Sequence, residues 1–163
     1  MFNDGKKYSS FDKEQLPKEV KYFREELIDE IIVIPEDRAN IENVLSISVY
    51  PDIESISLVS TERGLSNEGQ MLSGIKLVVE VNLKRKITYI VDDMGKSVQA
   101  IPNNIIKNIC VILPEYINSK NTCDLVRAGR ININPYIEHV HFRKLDKRRI
   151  FNCIMILVDV RLG

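Results

Sequence analysis

The sequence predicts an all-β fold, an antiparallel β-sandwich or barrel-like domain preceded by a flexible or short-helical N-terminal arm. Three observations predict it. In residues 74–91, Leu77, Val79, Val81, Leu83, Ile87, Tyr89 and Val91 recur at every second position, the period of a strand with one apolar face. Alternation of the same kind returns in residues 46–60, 131–145 and 150–162. Turn-forming residues separate these segments, and none carries the apolar spacing of a long helix.

The central run is much longer than the common strand of about 5–6 residues, and only Arg85 breaks its alternation. A bend is expected there. Asp92-Asp93-Met94-Gly95 supplies turn chemistry, and Ser97-Val98-Gln99-Ala100 begins the return of a hairpin.

Ahead of it, residues 1–20 are polar, with Phe2, Tyr8, Phe11, Leu16 and Val20 scattered through them. Two readings fit them: a disordered tail, or an arm that docks on a neighbouring subunit. A short helix over residues 11–25 is a variant of either, limited by Pro17. Residues 21–163 form the single domain. Ile31-Ile32-Val33-Ile34 is β-branched and reads as a strand ending at Pro35. Residues 36–40 read as a loop, and 41–45 as a single turn before the next strand. Pro51-Asp52 interrupts the alternation of residues 46–60, as a bulge or kink would. Residues 61–73 read as a loop.

Beyond the hairpin, residues 105–113 (IIKNICVIL) are apolar on both faces and read as a buried strand. Residues 115–130, rich in Asn, Lys and Gly, are the least structured interior stretch. The charged run 143–149 (RKLDKRR) makes a tight connection into the last strand. There, Ile150, Ile154, Ile156, Val158, Val160 and Leu162 face one way. Phe151, Cys153, Met155 and Leu157 face the other, with Asp159 and Arg161 returning to solvent.

The 163 residues suit one domain. Composition is that of a globular protein, 44% hydrophobic and 28% charged. Twenty-three basic residues balance 23 acidic ones, which favours neither nucleic acid nor an anionic membrane and leaves self-association unopposed by net charge. No apolar run is long enough for a membrane span, and the first residues lack the apolar core of a secretory signal.

Motifs for chemistry are sparse. Gly64, Gly69 and Gly74 lead into a strand and lack the Lys-Ser/Thr of a phosphate loop. His139 and His141 are two apart on a strand and share a face, but no third metal ligand is near in sequence; a solvent or interface pair explains them. Asp92-Asp93 lacks the ligand pattern of a calcium loop. No nucleophile motif is present. The basic run 143–149 has no interleaved aromatics and reads as a solvated turn or a subunit contact. The sequence therefore assigns no catalytic residue, cofactor or metal.

Cys110 and Cys153 lie in apolar runs and read as buried small hydrophobes. Cys123, in the polar stretch SKNTCD, is the candidate exposed thiol and the candidate for an inter-chain disulfide.

Several stretches together resemble the SPOCS domain family. GQMLSGIKLVVEVNLKRKITYIVDDMGKSVQA is similar to the family's run of Gly, Leu, Gly, Lys, Leu, Val and Glu, here Gly69, Leu72, Gly74, Lys76, Leu77, Val79 and Glu80. The family's following Tyr and its Ser-Val return are matched by Tyr89, Ser97 and Val98. Upstream IPEDRANIENVLSISV, and downstream IIKNICVILP and LDKRRIFNCIMIL, resemble the family's other motifs in the same order. The resemblance covers roughly residues 31–162. It departs at Val81, where the family commonly has Gly and a bulge, and residues 1–163 hold no counterpart of the peptidoglycan-binding LysM module that accompanies the domain in the family. Members occur in spore-forming clostridia and relatives. The resemblance implies a non-enzymatic structural or assembly role in the spore envelope, as a homo-oligomer or bound to other spore-coat proteins. It also implies synthesis in the mother-cell cytoplasm and deposition on the spore surface. A glycan- or peptidoglycan-binding module is the alternative, with Tyr50, Tyr89, Tyr116 and Tyr136 as its aromatic platforms.

Overall fold

Every long element of the chain is a strand. The computed structural model describes residues 16–69, 71–72 and 74–163, so all but the last five residues of the arm expected over residues 1–20 lie outside the described residues. Strand β1 (Tyr22–Val33) is followed by β2 (Ile41–Ser60), then by the two-residue strands β3 (Gly64–Leu65) and β4 (Met71–Leu72). Next come β5 (Ile75–Val91), β6 (Val98–Leu113) and the small pair β7 (Tyr116–Ile117) and β8 (Lys120–Asn121). Helix α1 (Thr122–Arg127), β9 (Ile131–Lys144) and β10 (Arg149–Leu162) complete the chain. The six long strands form two antiparallel sheets, in the orders β1-β10-β9 and β2-β5-β6. No ladder joins one sheet to the other among the described residues. The all-β, antiparallel reading therefore holds, as a sandwich rather than a closed barrel.

The sheets stack so that β1 lies beside β6 and β9 beside β2, with central strand β10 over central strand β5. Period-two alternation decides what lies between them. From β5, Leu77, Val79, Val81, Leu83, Ile87, Tyr89 and Val91 are all buried. They meet Ile150, Ile154, Ile156, Val158 and Val160 of β10 in one continuous core. Burial of these branched side chains, about 1.5–3 kcal/mol each, is the main driving force for stacking.

Arg85 occupies a core position in the same alternation, paired with Val49 on one side and Asn103 on the other. The ladders run through it without a register shift, so β5 is continuous at this position. The residue is 3% exposed, and each guanidinium nitrogen has a partner. Nε donates to the Asn103 carbonyl at 3.0 Å and Nη1 to Asn152 Oδ1 at 3.0 Å, while Nη2 reaches Asn103 Oδ1 and the Glu30 carboxylate. A buried charge is tolerated only with such compensation.

Several boundaries differ from the sequence-based expectation. Tyr22 to Glu25 belong to β1 rather than to a helix, because each of them pairs in turn with Val160 to Leu157 of β10. Residues 41–45 open β2 instead of forming a turn, and the strand continues through Pro51, which is buried opposite Leu83. Its bulges fall at Ile41/Asn43, Val44/Ser46 and Ile53/Ser55. The last of these faces Val81 and Glu80 of β5. Strand β6 is an edge, not a doubly buried strand: Ile109, Val111 and Leu113 point inward while Ile106, Cys110 and Ile112 are exposed. Residues 115–130 contain α1, capped by Asn121, whose Oδ1 accepts from Cys123 N at 2.9 Å. Gly129, at φ +70°, ends the helix as Arg130 N donates to the Leu125 carbonyl at 2.9 Å.

One glycine is demanded by close approach. A Cβ on Gly74 would stand 2.4 Å from the carbonyl oxygen of Thr61, and Thr61 N donates to the Gly74 carbonyl at 2.7 Å. This contact closes the β3–β4 excursion onto the start of β5.

Three connections fasten the opposite end. Ile34 N donates to the Arg148 carbonyl at 2.8 Å, Ile41 N to the Lys147 carbonyl at 2.9 Å and Asp92 N to the Asn40 carbonyl at 2.9 Å. The Arg148 guanidinium donates to the carbonyls of Ile34, Pro35 and Arg38 and to Asn40 Oδ1. Lys147 pairs with Asp92 at 2.8 Å, and Asp146 accepts from the backbone of Arg148 and Arg149. Most of the basic run is thus spent inside the chain, joining both sheets.

Candidate interaction surface

The two sheets differ in the faces they turn away from the core. On β2-β5-β6 the outward positions of β5 are Lys76, Val78, Glu80, Asn82, Lys84, Lys86, Thr88 and Ile90, flanked by Ser46, Ser48, Tyr50, Asp52, Ser55 and Ser57 of β2. Lys84 pairs with Asp52 at 2.7 Å and Asn82 donates to Glu54 at 2.8 Å. The outward row of β6 adds Val98, Ile106 and Ile112, exposed as Tyr50 is, so this face mixes charged pairs with apolar side chains.

The outward face of β1-β10-β9 sets apolar side chains among charged ones. Phe23, Leu27, Ile31 and Val33 of β1 are 46%, 58%, 54% and 61% exposed, and Met155 of β10 is 38% exposed. The register sets these side chains in rows across the three strands: Ile31–Phe151–Arg143, Asp29–Cys153–His141, Leu27–Met155–His139 and Glu25–Leu157–Tyr136. Facing neighbours in such rows stand about 5 Å apart at Cβ. The apolar residues occupy the middle strand and part of β1. Asp29 and Glu25 lie on the β1 side, and Glu138, His139, His141 and Arg143 on the β9 side.

Local chemistry follows from this layout. The rings of His141 and Phe151 meet edge to face, with centroids 6.4 Å apart. Glu138 lies at the bulge where β9 gains a residue against Met155/Ile156, which brings its carboxyl to that of Glu25. Partial burial, then the hydrogen bond and charge of Glu25, raise Glu138 above the usual carboxylate range. Partial burial, aided by the Asp29 charge, raises the Cys153 thiol, so it is a weak nucleophile where it stands. Asp159, expected in solvent, is buried and accepts from Arg161 Nε at 2.9 Å.

The cysteines also change places. Cys110 is the exposed thiol, on the outward face of edge strand β6, whereas Cys123 is half-buried on α1 and lines a cleft with Ile56, Leu58, Ile75 and Val126. Cys153 is half-buried rather than buried. An apolar run in the sequence cannot distinguish an edge strand from a covered one, so Cys110 reads as a core residue from its neighbours alone. His139 and His141 share the outward face of β9, as their spacing requires. No group of three or more His, Cys, Asp or Glu residues is placed to hold a metal ion among the described residues. Tyr89, one of four candidate aromatic platforms, is fully buried and donates to the Ala39 carbonyl at 2.9 Å. Tyr50 and Tyr136 project from outward faces of different sheets, and Tyr116 from the β7–β8 hairpin. Among the described residues, no helix is long and apolar enough to cross a membrane.

Sequence reasoning missed this apolar face. The available signal was the C-terminal strand, IFNCIMILV, which is apolar on both alternations although only one side meets the other sheet. Comparison with family models, with curated proteins and with solved structures returned no match.

Proposed function

We propose that this chain is a non-enzymatic structural protein of the bacterial spore envelope, acting by self-association or by docking to coat proteins. One observation carries the assembly part: the outward face of β1-β10-β9 leaves Phe23, Leu27, Ile31, Val33 and Met155 in water, side by side on two neighbouring strands. Contiguous exposed apolar surface rimmed by charge is characteristic of a contact surface. The spore setting is supported by the SPOCS-like motifs, which fall on elements that build the fold: Gly74 at the close approach to Thr61, and Leu77, Val79 and Tyr89 in the core. Synthesis in the mother cell and deposition on the spore surface belong to the same reading. The glycan-binding alternative is less well supported, since Tyr89 is unavailable and the other three tyrosines do not share a surface.

Light scattering and electron microscopy of the purified chain, with affinity capture from spore extracts, test the proposal. Oligomers, fibres or a defined coat-protein partner are the expected result. A monomer at every concentration that retains no spore protein would overturn it.

A further inference from the structure

We infer that β6 is an open sheet edge that pairs with β6 of a second copy, antiparallel about a two-fold axis through Asn108. The pairing would join two β2-β5-β6 sheets into one. It rests on the assembly reading above and adds to it a contact separate from the apolar face of β1-β10-β9.

Each sheet ends in two edges, and an edge left long, flat and uncharged is a template for another strand. Three of the four are blunted. Strand β1 carries Arg24, Glu25, Glu26, Asp29 and Glu30. Bulges interrupt β2 at three places, and β9 holds Pro135 and a bulge. By contrast, the ladder of β6 with β5 runs from Val98 to Leu113 without a register shift. Its one charged residue, Lys107, is half-buried on the inward row.

The free backbone groups of β6 follow from parity. Val91 N donates to the Ser97 carbonyl at 2.8 Å, and Asp92 N to the Asn40 carbonyl at 2.9 Å. Odd-numbered residues of β5 therefore turn their backbone toward β6 and even-numbered ones toward β2. Odd residues of β6, such as Ile105 opposite Leu83, return those bonds, and even residues point away. Pro102, which has no N–H to lose, sits at an even position as this requires. Asn104, Ile106, Asn108, Cys110 and Ile112 thus direct N–H and C=O to the open side. Among the described residues no backbone hydrogen bond is made there.

The occupant is specified by two prolines. Pro102 and Pro114 close the free row at its ends, and Asn108 is midway between them. A two-fold axis through Asn108 sets Pro102 of each copy against Pro114 of the other. Every donor between them is then matched: Asn104 with Ile112, Ile106 with Cys110, and Asn108 with its own copy, about ten N–H···O bonds in all. Lys107 falls opposite Ile109. Moving the axis to Lys107 would oppose that charge to itself, and moving it to Ile109 would set Asn104 against Pro114. The stretch from Asn103 to Leu113 is therefore its own complement in one register. On β1, which lies beside β6, Glu26 and Glu30 are already paired with Arg24 and Arg85. Glu25 and Asp29 lie on the far face of the sandwich, away from the joined sheet. The net charge of zero leaves no global repulsion to oppose the contact.

Sedimentation velocity across a concentration series tests this on the full chain, with circular dichroism confirming that each variant is folded. The expected result is a concentration-dependent dimer. Asn108→Pro removes an outward donor, and Ile106→Lys, which serves should the first fail to fold, puts a charge into the paired row. Either raises the dissociation constant by at least about tenfold, the scale of one or two lost hydrogen bonds. Ala100→Pro, outside the paired stretch, and Met155→Glu, on the other sheet, leave it unchanged. The register is read by a short bismaleimide in a Cys110→Ser background. Asn108→Cys links two copies across the axis, whereas Asn104→Cys, about 27 Å from its own equivalent at the rise of a strand, does not. A dimer lost in Met155→Glu but kept in Asn108→Pro and Ile106→Lys would overturn the edge contact and leave the assembly reading standing. Linking through Asn104→Cys instead of Asn108→Cys would overturn the register. A wild-type monomer that still retains a coat protein would overturn self-pairing alone, and a monomer that retains nothing would overturn both.

Discussion

Arg85, halfway along the central strand of one sheet, donates to Asn152 on the central strand of the other at 3.0 Å. The same guanidinium reaches Glu30 on β1 and Asn103 on β6, so four strands and both sheets converge on one buried charge. Asn152 passes the link on, donating from Nδ2 to the His141 carbonyl on β9 at 3.1 Å. Hydrophobic burial holds the layers together but is indifferent to small slips. A guanidinium with directional partners on both sheets specifies their registration.

Truncation of Arg85 leaves Asn152 Oδ1 unmatched in the core and takes a partner from the half-buried Glu30 and Asn103. Arg85→Ala is expected to cost about 3 kcal/mol, the scale for breaking a buried ion pair on one side, and Asn152→Ala about 1–2 kcal/mol. Urea denaturation monitored by circular dichroism measures both. An Arg85→Ala loss below 1 kcal/mol would mean that the network contributes little.

Substitution of Gly74 tests the close approach to Thr61. Since a Cβ there would meet the Thr61 carbonyl at 2.4 Å, Gly74→Ala must displace backbone and is expected to cost about 1–3 kcal/mol, the range for overpacking. At Gly64 an added Cβ meets nothing within 4 Å, so Gly64→Ala serves as the control and should fall within about 0.5 kcal/mol of the parent. Thermal melts of the two variants decide it.

Lowering the pH should favour the Glu25–Glu138 contact. The Glu138 pKa is raised in the folded chain, first by burial and then by Glu25, so its stabilising contribution is complete below the unfolded carboxyl pKa. That contribution is lost as pH rises through the folded value. Glu138→Gln removes the titration, which should stabilise the chain at neutral pH by less than about 1 kcal/mol, given the partial exposure. Between the ordinary glutamate pKa and neutrality, its stability profile should be flatter than the parent's. Denaturation midpoints across that pH range provide the measurement, and an unchanged slope would contradict the assignment.

Thiol labelling should follow exposure rather than position in the sequence. Cys110 stands open on an edge strand, and Cys153 is half-buried with its thiol pKa raised. Reaction with a maleimide at neutral pH is expected to modify Cys110 first and Cys153 more slowly, and Cys110→Ser should remove the fast phase. If Cys123 labelled fastest, its placement on α1 beside Ile56 and Val126 would be wrong.

Alternation was enough to specify the fold class, the long β5–β6 hairpin and the inward residues of β5, because a strand exposes its period of two directly in the chain. It also placed His139 and His141 on one face. Helix α1 was hidden by its brevity: six residues between Asn121 and Gly129 leave too few turns for a period to emerge. The basic run 143–149 showed its charge but not its use, since the acceptors for Arg148 lie more than a hundred residues earlier.

What the linear order of residues determined by itself is which of them can share a face. Which face is covered was decided only by the tertiary structure. The two alternations of β10 are nearly equal in apolarity, as are those of β6, and local periodicity assigns neither of them to the core. Stacking against β5 claimed Ile150, Ile154, Ile156 and Val158 and left Phe151, Cys153 and Met155 facing outward. The same choice turned Arg85 from an apparent break in a strand into a cross-sheet clamp, because a buried charge takes its meaning from partners that the chain delivers from elsewhere.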